Sequence, residues 1–324
     1  MFIARAASFC IVSLVFTVGA NASDAPPPWA YPVAPPPSST AQEPTKLDTS
    51  LKRVPGSDVA LTLEQIGNPF DVPDWHPNEH PQMPQVVKYG RRPAVFACGY
   101  CHLPNGLGRS ENSSVAGLPE DYIIQQIEDY RNGLRKSSEP RMRPPSLMLA
   151  ISNAVTDDEL KEAAAYFSSM KLEPWIRVVE TDMVPRTKVA GAMMVAVEGE
   201  DREPIGTRII ELPEDLARTE LRDSQSGFVA YVPPGSIAAG QKLARTGGGD
   251  KTLPCANCHG EDLRGLGPVP GLAGRSPTYM VRQLFDFKNG ARAGTWSPLM
   301  QKVVAQLTLE DMVALSAYTA SLDP

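Results

Sequence analysis

The sequence predicts a mainly α-helical protein of two domains in tandem, joined by a small β-rich insertion, and three observations carry that expectation. The first is the pentapeptide Cys98-Gly99-Tyr100-Cys101-His102, which returns as Cys255-Ala256-Asn257-Cys258-His259 at an offset of 157. The second is that the likeness runs on past the pentapeptides. At the same offset Ala116-Gly117 meets Ala273-Gly274, Tyr122 meets Tyr279, Gln126 meets Gln283, Asp129 meets Asp286 and Arg135 meets Arg292. After five extra residues in the first copy the register resumes at 152, where Met148 falls on Met300, Thr156 on Thr308 and Tyr166 on Tyr318. A repeat of this length implies two copies of one domain and of its function. The third is residues 173–235, which match nothing else in the chain and alternate β-branched stretches with Pro, Gly and acidic turns.

Two thiols three residues apart with a histidine directly after them is the spacing of c-type haem attachment. The two cysteines can each form a thioether to one vinyl group of a single haem. The adjacent histidine then offers its imidazole to the iron. Cys98, Cys101, Cys255 and Cys258 are therefore the candidate attachment residues, and His102 and His259 the candidate iron ligands, for two haem c groups. A zinc knuckle would need four converging ligands, and a dithiol redox pair would not need the histidine.

Residues 1–22 read as an export signal: Arg5 gives a basic start, Phe9 to Val18 is almost wholly apolar, and Ala20-Asn21-Ala22 is a small-x-small cleavage site. The apolar run falls short of the roughly 20 residues that span a bilayer, although an uncleaved anchor stays open. Cys10 lies within the apolar run, so every cysteine of the expected mature chain belongs to a pentapeptide and no disulfide framework remains. Export to the periplasm suits c-type haem, and peripheral association with a membrane is compatible with it. Without Arg5 the chain has 30 basic and 37 acidic side chains, a net of −7. That balance argues against nucleic acid and favours basic docking patches on protein partners.

Residues 23–83 form a proline-rich leader, with Pro26-Pro27-Pro28 and Pro35-Pro36-Pro37 suggesting an extended tether over 23–46. His76 and His80, the only histidines outside the pentapeptides, are expected to be solvated here. The first domain spans 84–172. Tyr122, Ile123, Ile127 and Tyr130 recur near a 3.6 period and predict a helix over 121–132, with Gly133 as its stop. Thr156-Asp157-Asp158-Glu159 is a capping box opening a helix to Met170. In 173–235, strands are expected at 175–179, within 188–197, at 207–212 and at 227–232, with a helical turn near 214–217. This insertion would fix the domains relative to each other, or serve as a docking surface. The second domain, 236–324, is expected to hold a helix capped by Ser236 and running through Arg245, then helices at 279–288 and 310–321.

The sixth ligand decides whether an iron is closed or open to small molecules, and a methionine thioether raises the potential and closes it. Met300 lies 41 residues after His259 in a proline-flanked stretch read as a loop, whereas Met280 and Met312 sit on expected helices. Met142 and Met148 compete in the first copy, and the repeat selects Met148 because it aligns with Met300.

Those motifs together resemble the tandem two-haem class I cytochromes c, the cytochrome c4 group with its cytochrome c553-type domains, over 84–172 and 236–324. The resemblance implies six-coordinate His/Met iron, a periplasmic setting and single-electron transfer between redox partners: a dehydrogenase or reductase as donor, an oxidase or another cytochrome as acceptor. It implies an electron carrier and not an enzyme. It also implies that the Pro270 carbonyl holds the imidazole of His259. The first copy has Ser113 there, so the corresponding contact is in question. The leader and the insertion depart from that family. They keep open a cytochrome subunit of a larger dehydrogenase or oxidase complex; a dihaem peroxidase-like enzyme is disfavoured by the two equivalent methionines.

Overall fold

The computed structural model describes residues 25–36, 48–199 and 201–324. The expected signal at 1–22, with Cys10, lies outside them. The first half runs α1 (Leu63–Ile66), α2 (Gln85–Lys88), α3 (Cys98–His102), α4 (Glu120–Arg131), α5 (Arg143–Ala154) and α6 (Asp157–Ser168). The insertion contributes β1 (Ile176–Glu180), β2 (Met183–Pro185), β3 (Thr187–Ala190), β4 (Met193–Ala196), β5 (Arg202–Pro204), β6 (Ile210–Pro213), α7 (Leu216–Glu220) and β7 (Phe228–Val232). The second half follows with α8 (Ser236–Thr246), α9 (Ala256–His259), α10 (Pro277–Lys288), α11 (Ser297–Val304) and α12 (Leu309–Ala320). No described helix is long and apolar enough to cross a membrane.

Local chemistry explains where the helices begin and end. Thr156 accepts from the Glu159 amide while the Glu159 carboxylate accepts from the Thr156 amide, the reciprocal box read from the sequence. Thr308 and Asp311 repeat it at the head of α12. Ser236 does not cap α8 as expected: Gly235 holds the cap position in a left-handed turn and Ser236 is the first helical residue. The stretches around both candidate methionines also differ from expectation. Each forms a helix, α5 and α11, because a proline near the start (Pro144, Pro298) suits a first turn whose amides have no helical partner.

The first core gathers Val86, Val87 and Val95 against Leu160, Tyr166 and Phe167, with Ile123 and Ile127 of α4 alongside. The second is larger and is organised on α8, α10 and α12, with Leu243, Val281, Phe285, Met312 and Leu315 among its members. Gly240 marks where α8 crosses α12. A methyl group there would fall inside the Ala314 carbonyl and against Tyr318. Gly240→Ala is therefore expected to force the helices apart and destabilise the second domain by about 1–3 kcal/mol or more. Thermal unfolding checks this, and an unchanged midpoint would contradict the crossing.

In the insertion, β7 is central, parallel to β1 and antiparallel to β6, while β2 pairs with β5 and β3 with β4 as two-stranded ribbons. Glu211 of β6 is buried and accepts from Ser276 Oγ (2.8 Å) and the Thr278 amide (3.2 Å) at the start of α10. Burial raises its pKa above the ordinary glutamate value. Trp175 donates to the Gly274 carbonyl at 3.2 Å. The insertion is thus fastened to the second domain by buried polar contacts.

The leader is not a free tether where it is described. Ala30 and Tyr31 are buried in the second core; Tyr31 donates to Asp286 Oδ1 (2.8 Å), and Arg282 donates to the Ala30 carbonyl (2.8 Å). Neither leader histidine is solvated. His76 is buried with Nε2 2.9 Å from Asp223, and His80 lies 3.1 Å from Asp74 and 3.2 Å from the Tyr166 hydroxyl. Proline punctuation concealed the packing because, Asp74 apart, the contacts come from residues more than 80 positions away.

Candidate haem sites

Each pentapeptide forms one short helical turn, and that turn is what brings two cysteines and a histidine together. In the first copy the turn begins where the Ala97 amide donates to the Pro69 carbonyl of the leader (2.9 Å), and Asn112 ties the Cys101 carbonyl at 3.0 Å. The chain then folds back so that the Gly108 amide donates to the His102 carbonyl (2.9 Å), matched at the repeat offset by Gly265 to His259 (2.8 Å).

That return places a backbone carbonyl against each imidazole. His102 Nδ1 lies 2.9 Å from the Ser113 carbonyl and His259 Nδ1 lies 2.8 Å from the Pro270 carbonyl. The contact in question for the first copy is present, since a main-chain oxygen serves whatever side chain carries it. Burial pushes both histidines below the ordinary imidazole value, so each is neutral near pH 7. A carbonyl can only accept, so Nδ1 bears the proton and Nε2 keeps its lone pair for a metal.

The thiols are equally telling. Burial pushes Cys98 up to about 12 and Cys255 up to about 11, and raises Cys101. A dithiol redox pair needs the opposite shift, toward thiolate. Among the described residues no group of three or more His, Cys, Asp or Glu side chains is placed to hold a metal ion. Buried, neutral thiols at Cys98, Cys101 and Cys255, with a neutral histidine in each turn, fit a macrocycle that brings its own iron.

A cavity opens on the first turn and is lined by Cys98, Cys101, His102, Ile123, Met148 and Phe167. Met148 therefore shares the cavity with His102. Met142 does not line it: it is fully buried among second-core residues. In the second copy His259 is buried, Met300 is partly buried against the second core, and Cys258 is exposed.

The far wall of the first cavity includes Tyr279, Arg282, Gln283 and Asp286 of the second domain, together with Arg135. Here lies what the sequence reading missed. Arg135 donates to Gln126 (2.9 Å) in its own domain and to Tyr279 (2.8 Å) and Gln283 (3.1 Å) in the other. Arg292 does the reverse, to Gln283 (3.1 Å), Tyr122 (2.8 Å) and Gln126 (2.6 Å). The repeated Tyr, Gln and Arg were legible as landmarks of the repeat. That identical polar residues recur on buried helix faces was the available sign of a shared interface.

Two Cys-x-x-Cys-His turns on tandem helical domains, each with its histidine held by a backbone carbonyl, are the mark of a dihaem electron-transfer protein. No family model matches the chain. The chain is 27% identical to cytochrome c4 of Stutzerimonas stutzeri over 237 residues, covering 70% of this chain and 85% of that protein. It is 37% identical over 75 residues to cytochrome c-554(548) of Halomonas halodenitrificans, covering 23% of this chain and 90% of that protein. A thiosulfate dehydrogenase electron acceptor of Stutzerimonas stutzeri is 24% identical over 237 residues, covering 72% and 82%. The chain belongs to the dihaem class I c-type cytochromes, carries two covalently bound haem c groups and transfers electrons.

Proposed function

We propose that the haems are attached through Cys98/Cys101 and Cys255/Cys258, that His102 with Met148 and His259 with Met300 are the axial pairs, and that the protein is a periplasmic single-electron carrier. Haem c supplies the redox chemistry when bound, one electron per iron. The chain's part is to hold each imidazole as the tautomer that leaves Nε2 free, to supply a thioether and to exclude water. The observation that carries the reading is the pair of Nδ1-to-carbonyl contacts, at 2.9 Å and 2.8 Å, behind the histidine of each pentapeptide.

The partners that fit are a dehydrogenase or reductase as donor and an oxidase or another cytochrome as acceptor. The likeness to a thiosulfate dehydrogenase electron acceptor supports a dehydrogenase donor. A second reading, a cytochrome subunit held within such a complex, is supported by a 32% identity over 102 residues to the cytochrome subunit of sulfide dehydrogenase of Chlorobaculum tepidum. Methionines at matching positions argue against peroxide chemistry, which needs an open iron position.

Replacing both cysteines of one pentapeptide should halve the haem that stays on the denatured chain, because thioethers survive denaturation and coordination bonds do not. In-gel haem staining against total protein measures it. Full haem retention in the Cys255→Ala/Cys258→Ala variant would remove the second attachment from the proposal.

A further inference from the structure

The duplicated attachment turns are treated differently by the rest of the chain. None of the residues from Tyr100 to Glu111 is exposed, whereas Asn257, Cys258, Glu261, Asp262, Arg264 and Leu266 at or near the matching positions all are. Hydrogen bonds show what covers the first turn. Arg222 donates to the Tyr100 carbonyl (2.7 Å) and its guanidinium stacks 3.6 Å from the Tyr100 ring centroid. Asn105 donates to the Ser224 carbonyl (2.7 Å), and Arg109 to the Thr219 carbonyl (3.3 Å). The cover is α7 and the turn after it, 216–226, and it is anchored on its far side by the leader. Trp75 donates to the Leu221 carbonyl (2.7 Å), His76 lies 2.9 Å from Asp223, and Gln225 donates to Glu79 (2.6 Å). Arg222 is held at φ 58, a left-handed conformation that an arginine adopts only when its surroundings impose it.

Resting on the attachment sites proposed above, we propose that this cap closes the first attachment face to proteins and that partners dock on the second. The second turn is flanked by Leu253 and Leu266, 59% and 60% exposed. The charges beside it nearly cancel: Asp250, Glu261 and Asp262 against Lys251 and Arg264. An apolar centre with little net charge fits a redox protein whose own docking face is apolar and almost uncharged, and fits a highly charged one poorly. The first haem is then an internal centre, filled and emptied through the second. The insertion acts as a cover and leaves the docking to the domain behind it.

Two measurements on the haem-loaded protein test this. Amide hydrogen exchange should be slow over 100–109 and faster over 257–266, and Arg222→Ala should speed the first stretch while leaving the second unchanged. Equal exchange of both stretches in the wild type, or no response to Arg222→Ala, would remove the cap. Electron exchange with reduced azurin, a small blue-copper protein with an apolar docking face, tests the port. Leu266→Lys should slow it by about ten-fold or more, the loss of ~1.4 kcal/mol of docking, while Leu149→Lys on the first domain leaves it unchanged. Slowing by Leu149→Lys, or none by Leu266→Lys, overturns the assignment. A wild type that carries two covalent haems but exchanges no electron with any donor would instead sink the carrier reading.

Discussion

Met148→Ala and Met300→Ala are each expected to strip the strong-field thioether from one iron, lower that haem's potential and open it to carbon monoxide. Axial ligands set haem potentials over about 0.8 V, so the shift should be plain in a redox titration. Met142→Ala should behave in the opposite way. Its side chain is fully buried in the second core and does not line the first cavity. Truncation should cost about 2–5 kcal/mol of stability and leave both haem spectra as they were. Spectra of the three variants, with and without carbon monoxide, and their denaturation midpoints separate the cases. A ligand-loss spectrum in Met142→Ala with none in Met148→Ala would reverse the assignment.

Much of this protein was legible because local chemistry dictates it. The pentapeptides encode one-turn helices, Thr156 announces the helix it caps, and the runs around 176–179 and 228–232 became β1 and β7. What stayed hidden depends on distant partners. Tyr31 looked like part of a tether because nothing near it in sequence discloses Arg282 or Asp286. His76 looked solvated because its partner, Asp223, is 147 positions away. The Ser113 contact was doubted on side-chain grounds although the main chain supplies it. Met148 could be chosen over Met142 because the repeat is itself long-range information written in the chain. The recurrence of Tyr122, Gln126 and Arg135 was a sign of a shared surface, but their pairing across it was not readable, since a repeat shows which residues match and not which ones meet.

Those matched residues lead to the other large effect. Arg135 and Arg292 are buried, pair their backbones in an isolated antiparallel bridge, and share Gln126 and Gln283 as acceptors across the seam. The Lys136 amide donates to the Ala291 carbonyl and the Ala293 amide to the Leu134 carbonyl, both at 2.7 Å, so the arrangement has an approximate two-fold symmetry. Gly294 adds to the closeness, because a methyl group there would overlap the Asp129 carboxylate. Replacing either arginine by leucine leaves a tyrosine hydroxyl and part of two glutamine amides without their partner. Each single change should cost about 1–3 kcal/mol, the usual penalty for leaving buried neutral polar groups unsatisfied. The second arginine has less left to lose once the first is gone, so the double variant should fall short of the sum by about 0.5–3 kcal/mol. With the seam loosened, the domains should unfold as two calorimetric transitions in place of the single one expected of the wild type, each followed by its own haem signal. Additive costs, or a single transition in the double variant, would mean that the two arginines act separately and that something other than this shared cluster couples the domains.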